Sequence, residues 1–384
     1  MYYFLTASAD TYVTENQPGH IVSYKNTINK NYGSDEILEL KKEFTNEYSE
    51  TADNVSRIFI KFNYNQLSES INNEEIPKVD DGNSLSSSAF LKLYEIEGQD
   101  LFDKEYILDV QSIAGTVGSD NDWKEGTGKH FDNGSYIDGC TWKEYKSGSS
   151  WVDGGATDTG SRTEGGGSWY PTSTAFQIFK NQSADINMDI TGLVENHLKV
   201  AIPNCGYVVK FSGSYENSSP PLNLKFFSRQ TNTVYQPKLE IKWNDCSYPN
   251  PMAVNLNYLT MSGEVKNHIF IKGLQSSYKE SERVRFRLGC RKAYTQKTFT
   301  ESMLTSSFYI PKGSGSYSII DSATGEDVVP FDSFTSMSAD TTSMYFDQWF
   351  NGFETGRYYK VLFKLKYTDG QEIIIDNDEE FKVI

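Results

Sequence analysis

Short runs of alternating apolar and polar positions dominate the chain. In Ser56-Arg57-Ile58-Phe59-Ile60-Lys61-Phe62, the residues Ile58, Ile60 and Phe62 alternate with Phe59 and Lys61. A period of two turns one apolar row toward a core and the other toward solvent, so the run predicts a strand. Leu239, Ile241 and Trp243 repeat the pattern. Gly33 is expected in a tight turn at positive φ. Ile190, Leu193, Val194 and Leu198 break the rule: their i, i+3, i+4, i+8 spacing predicts one short amphipathic helix, capped by Asp189 or Thr191. Residues 9–98 read as strands joined by polar loops, and the acidic, Ser/Asn-rich stretch 68–88 reads as an exposed insertion.

The polar, proline-containing stretch Asn244-Asp-Cys-Ser-Tyr-Pro249-Asn-Pro251 marks a domain boundary. Beyond it, residues 266–272, 282–289, 317–321, 344–349, 358–367, 371–375 and 380–384 predict about seven strands. Thr368-Asp369-Gly370 supplies the Asp-Gly signal of a hairpin between two of them. That strand count fits an immunoglobulin-like sandwich of about 100 residues. The expected organisation is a sandwich over 1–245 with a long loop at 146–171, a linker at 246–260, and an immunoglobulin-like sandwich over 261–384.

Composition agrees with an all-β chain: 25 Tyr and 23 Phe favour pleated, half-buried surfaces. A net charge of -16 argues against binding nucleic acid or anionic lipid, both of which need clustered Lys and Arg. No stretch approaches the roughly 18 apolar residues of a membrane span. Cys140, Cys205, Cys246 and Cys290 form no paired spacing, which suggests free thiols and neither a zinc site nor a disulfide framework. Residues 1–10 lack the basic and apolar regions of a secretory leader, so ordinary export is not expected.

Several segments carry a family resemblance. Ser8-Ala-Asp10-Thr-Tyr12-Val13, Asn31-Tyr-Gly33 through Leu40, the run 56–62, Ala89-Phe-Leu-Lys-Leu-Tyr94, Asp122-Trp123-Lys-Glu125-Gly126, Thr141-Trp142, Ile186 through Val194 and Phe226 through Trp243 follow one another in the order of the DNRLRE domain. The resemblance covers about 1–245 and implies a jelly-roll-like β-sandwich of the kind found in microbial polysaccharide-related surface proteins and phage virions. Tyr317 through Asp332, Met344-Tyr-Phe-Asp347, Gly356-Arg357-Tyr-Tyr359 and Asp376 through Val383 are similar to structural proteins of large contractile-tailed marine phages. Together the two resemblances imply a non-enzymatic virion structural protein, tail-associated at the neck, baseplate or fibre attachment. It would be made in the host cytoplasm, without cofactor, and partnered by other virion proteins in a symmetric homo-oligomer or ring. The alternative they leave is a glycan-binding adhesin or host-attachment module.

Candidate chemistry is sparse. His20, His130, His197 and His268 are scattered, and His197 is expected to meet a local backbone carbonyl. The 52 acidic residues do not single out a glycosidase pair. Asp120-Asn-Asp122-Trp-Lys124-Glu-Gly126 fails as a calcium loop, because Lys124 stands at a ligand position and Phe131 at the closing one. Asp10, Asp35 and Asp245 are the conceivable oxygen ligands elsewhere, and no metal is expected. Two contact sites are predicted. Trp151 and Trp169 in the glycine-rich loop either dock a partner or glycan or anchor their own loop. Arg283, Arg285 and Arg287 share one face of a strand and meet either an acidic neighbouring subunit or acidic residues of the adjacent strand.

Overall fold

The structure is a computed structural model, and it describes residues 1–15, 27–44, 54–77, 87–96, 105–132, 138–152, 165–180, 183–199, 201–218, 220–252, 254–262, 266–294 and 308–384. Within them the fold is all-β, built from antiparallel sheets with a few short helices. The chain forms two compact units, Leu5–Glu240 and Ile241–Ile384, the second of which also takes Met1–Phe4.

The first unit holds β1 (Tyr2–Thr6), β2 (Ala9–Thr14), β3 (Ile37–Glu43), β4 (Asn54–Lys61), β5 (Ser88–Leu93), β6 (Tyr106–Ile113), β7 (Glu144–Lys146), β8 (Ser149–Ser150), β9 (Trp169–Phe179), β10 (Ile186–Asp189), β11 (Tyr207–Phe211), β12 (Leu222–Phe227) and β13 (Lys238–Lys242). The division between the units falls inside β1 and β13. One sheet runs β1-β13-β5-β10; the other runs β12-β3-β4-β11-β6-β9, with β2 also on β4. β5 and β12 bury alternate residues, as half-exposed strands should.

β4 differs, because both of its faces are buried. Ile58 and Ile60 are fully buried as the period of two predicts, but so are Arg57 and Phe59 on the opposite row. The segment after β6 supplies the cover: Phe59, Val55 and Val208 share a cluster with Trp123, Trp142, Tyr145 and Trp169. Gly33 also departs from expectation. It does not have positive φ. Glycine is needed there because a Cβ would lie 1.9 Å from the Glu125 carbonyl oxygen.

Helix α1 (Tyr64–Asn72) occupies the start of the stretch read as an insertion; residues 78–86 of that stretch lie outside the described residues. Asn63 caps α1 by accepting the Asn65 N–H, and Tyr64 and Leu67 are buried at i and i+3. The predicted helix is present as α2 (Thr191–Leu198), with Asp189 accepting the Thr191 N–H and hydroxyl. Its buried row is Leu193, Val194 and His197, so His197 replaces Leu198 on the inward face. A third, short helix α3 (Gly213–Asn217) follows β11.

The second unit holds β14 (Asn267–Lys272), β15 (Ser277–Tyr278), β16 (Arg283–Lys292), β17 (Gly315–Asp321), β18 (Asp327–Val329), β19 (Ser338–Ala339), β20 (Met344–Trp349), β21 (Tyr358–Lys366) and β22 (Glu372–Val383). Its sheets run β14-β16-β20-β19 and β15-β22-β21-β17-β18. Read as A, A′, B, C, C′, D, E, F and G, these are the ABED and A′GFCC′ sheets of an immunoglobulin-like sandwich. Tyr359 at the start of β21 donates its hydroxyl to the Glu354 carbonyl at 3.1 Å, the tyrosine corner of that fold. The two strands expected at 371–375 and 380–384 are one strand, β22, whose register shifts opposite Lys360 and Leu362, near Asp378 at φ 56°. A ridged strand keeps its pairing through a bulge, which sequence alternation reads as a break.

Tyr2 and Phe4 pack into the core of this unit with Phe286, Phe346, Phe350 and Phe381. Leu256 and Leu259, from the expected linker 246–260, lie in the same core.

Candidate functional site

The tryptophan loop is built around Arg57. This fully buried guanidinium donates to both Glu216 carboxylate oxygens at 2.8 and 3.0 Å and to the Gly166 carbonyl at 2.8 Å. Its carbon lies 4.9 Å from the ring centroids of both Trp142 and Trp169. A buried charge is tolerable only when paired and hydrogen-bonded, and here the carboxylate, the carbonyl and two π-faces do that together. Gly166 sits at φ +78°, where a Cβ would lie 2.4 Å from the Arg57 Nη1. Glycine is therefore what lets the loop reach the guanidinium.

Trp169 is 3% exposed, so no ring face is open to a partner or sugar. Trp151 is half-buried, stacked on Phe59 at 5.1 Å, and donates its indole N–H to the Thr141 carbonyl at 3.1 Å. Both tryptophans anchor their own segment; residues 153–164 of the expected loop lie outside the described residues. Arg57 and the glycines at 165–167 were missed by pattern reading. An arginine inside an apolar run and three consecutive glycines were the available signals.

A second knot holds the same segment down. Asn31 donates to the carbonyls of Glu125 and Cys140 and accepts the N–H groups of Gly33 and Gly128. Nearby, Asp10 is buried; its carboxylate accepts the Arg229 N–H at 2.7 Å, while Glu125 takes the Asp10 N–H and the Arg229 guanidinium. Burial, with the Glu125 charge adding to it and Arg229 opposing, pushes the Asp10 carboxyl up to about 7. Asp35 accepts the His130 N–H and the Tyr12 hydroxyl, and in the second unit Asp245 pairs with the Met1 amine. These carboxylates are thus held by protein donors in place of a shared centre. Among the described residues no group of three or more His, Cys, Asp or Glu is placed to hold a metal ion.

His197 lies between the rings of Tyr64 and Tyr207, with Nδ1 3.0 Å from the Ile202 carbonyl. Burial drives its pKa down to about 4 despite that carbonyl, so the ring is neutral in the fold. All four cysteines are unbonded, and Cys140, Cys205 and Cys290 are buried.

The arginine row forms the most distinctive exposed surface. Phe286 and Leu288 point into the core, while Arg283, Arg285 and Arg287 stand on the outer face at 40, 45 and 34% exposure. On β20, Asp347 is paired in register with Arg285, and its 5%-exposed carboxylate accepts both Arg285 (2.7 and 2.8 Å) and Arg283 (3.1 Å). That hydrogen-bonded carboxylate, more than burial opposes it, raises the Arg285 pKa further. Arg287 pairs with Asp340, and the guanidinium carbon of Arg285 rests 4.1 Å over the Tyr345 ring. Within the chain the row thus pairs with Asp347 on β20 and with Asp340 just beyond β19. Two carboxylates do not neutralise the face, which also carries Lys272 and Arg291 in register with it.

No protein family model matches this chain, and comparison with curated proteins gives no match either. The resemblances in its segments therefore rest on the residues themselves.

Proposed function

We propose that the chain is a non-enzymatic structural protein of a bacteriophage particle, tail-associated at the neck, baseplate or fibre attachment, acting through protein–protein interfaces. The observation that carries the interface reading is the outer face of β14, β16 and β20. It presents Arg283, Arg285, Arg287 and Arg291 beside Tyr345 in a chain of net charge -16. Arginines whose planes are already oriented by Asp347 and Tyr345 lose little freedom on contact, and Arg and Tyr are enriched where protein surfaces meet. The segment resemblances supply the particle and the tail. A symmetric ring is the expected assembly, since repeated particle parts close by rotation.

The test is quantitative mass spectrometry of purified particles from the source lysate, with wild type and Arg287→Glu compared in the host. Wild type present at fixed stoichiometry, and the variant folded but depleted from particles, is the expected result. Absence of the wild-type chain from particles overturns the proposal.

A further inference from the structure

Among the described residues β9 ends its sheet and pairs only with β6. At its C-terminal half a side chain ties it to β10: Gln177 accepts the Asn187 N–H through Oε1 at 2.9 Å and donates to the Asp185 carbonyl through Nε2 at 3.4 Å. The amide group of Gln177 thus stands in for a strand partner of β10. At Thr172–Phe176 nothing comparable is seen. Among the described residues, these positions make no backbone hydrogen bond outside the pairing of Thr174–Phe176 with β6, and Thr172 and Ser173 lie where that register shifts. Alternate residues of a strand turn their N–H and C=O groups to the same side, so among the described residues the outward-turned groups of this stretch have no backbone partner.

The edge faces a groove of about 490 Å³, whose strand side includes Thr172 and Phe176 and whose far wall is Asp189, Gly192, Glu195 and Asn196 of β10 and α2. Phe176 is 63% exposed. Gly192 leaves the wall open, since a Cβ on it would meet nothing within 4 Å. An edge strand facing a helix across a groove is the geometry in which an extended peptide adds itself to a sheet. Five residues of strand span about 17 Å, enough to seat a short segment. The lining contains two carboxylates and no Lys or Arg. Glu195 makes an exposed pair with Lys199 at 3.4 Å, and such pairs are weak.

We propose that the edge of β9 beside α2 binds an extended segment of a partner protein by strand addition, and that this segment bears lysine or arginine at alternate positions. Its main chain pairs with Thr172–Phe176, its basic side chains face Asp189 and Glu195, and an apolar side chain covers Phe176. This site is independent of the arginine face and of the particle to which the chain is assigned.

The probe is a fluorescein-labelled peptide of seven alternating lysines and valines, with its glutamate–valine counterpart as control, titrated by anisotropy against the full chain. The lysine peptide binds, more weakly as salt rises, and the glutamate peptide does not. Gly192→Trp, which fills the groove, and Glu195→Lys, which reverses its charge, each weaken binding by about tenfold or more. Amide resonances of residues 172–176 shift on titration. Equal binding of both peptides, binding unchanged in both variants, or shifts confined to other residues overturns the proposal. So does binding of neutral oligosaccharides at these residues with no peptide bound.

Discussion

At the scale of single residues, the two most consequential side chains are Arg57, which pattern reading assigns to a strand and leaves there, and Asp10, which it offers only as a conceivable oxygen ligand. Arg57 carries a charge into a site of zero exposure, and Glu216, itself 6% exposed, is its counter-ion. Removing one partner of a buried pair leaves the other uncompensated. Arg57→Met should therefore destabilise the first unit by about 3–5 kcal/mol, read by urea unfolding with tryptophan fluorescence. An unchanged midpoint would mean that Glu216 finds water or another donor. Asp10 makes a prediction about pH. In the fold its carboxyl keeps a proton up to about 7, against 3.8 in the unfolded chain. The folded state binds more protons in that window, so stability is complete below it and declines as pH rises through it. Asp10→Asn should remove that slope. Between about pH 5 and about pH 8 the wild type should lose about 2–3 kcal/mol more than the variant. Equal slopes would show that the carboxyl is already ionised at the lower pH.

Among the elements, β4 and β21 show how neighbours decide what a strand becomes. β4 has the sequence of a strand with one dry face, and the tryptophan segment makes it a strand with two. Its Phe59 stacks on Trp151 and Lys61 pairs with Asp122, so the face that would meet water is covered by a second layer. On β21, alternation is kept, and Tyr359 adds a tie across the turn that enters the strand. Tyr359→Phe keeps the buried ring and loses one hydrogen bond, leaving the Glu354 carbonyl without it. The expected cost is about 1 kcal/mol, seen as a lower denaturation midpoint of the second unit with an unchanged slope. A changed slope would mean instead that the variant alters the folded or unfolded ensemble.

For the whole molecule, the contacts sort residues by packing more than by position along the chain. Met1–Phe4 belong with Ile241–Ile384. Phe4 is 3% exposed and meets Phe353 edge-on at 5.9 Å. Phe4→Ala should cost about 3–5 kcal/mol. Hydrogen exchange should locate the lost protection in β16 to β22, some 280 residues or more along the chain from the substitution. Loss confined to β2 and β4 would contradict this assignment. The same distinction separates what was legible in the sequence from what was not. Alternation and aromatic content determined the all-β class, most strands, the hairpin at Asp369-Gly370 and helix α2, because these follow from local period and turn chemistry. The local pattern also carried the outward direction of Arg283, Arg285 and Arg287, since side-chain parity along a strand is fixed by the backbone. Their pairing with Asp347 and Asp340, the burial of Trp169 against Arg57, the need for glycine at Gly33 and the open edge of β9 were decided only in the tertiary structure. Each of these depends on which distant segment arrives beside the residue, and a chain's local periodicity carries no record of that.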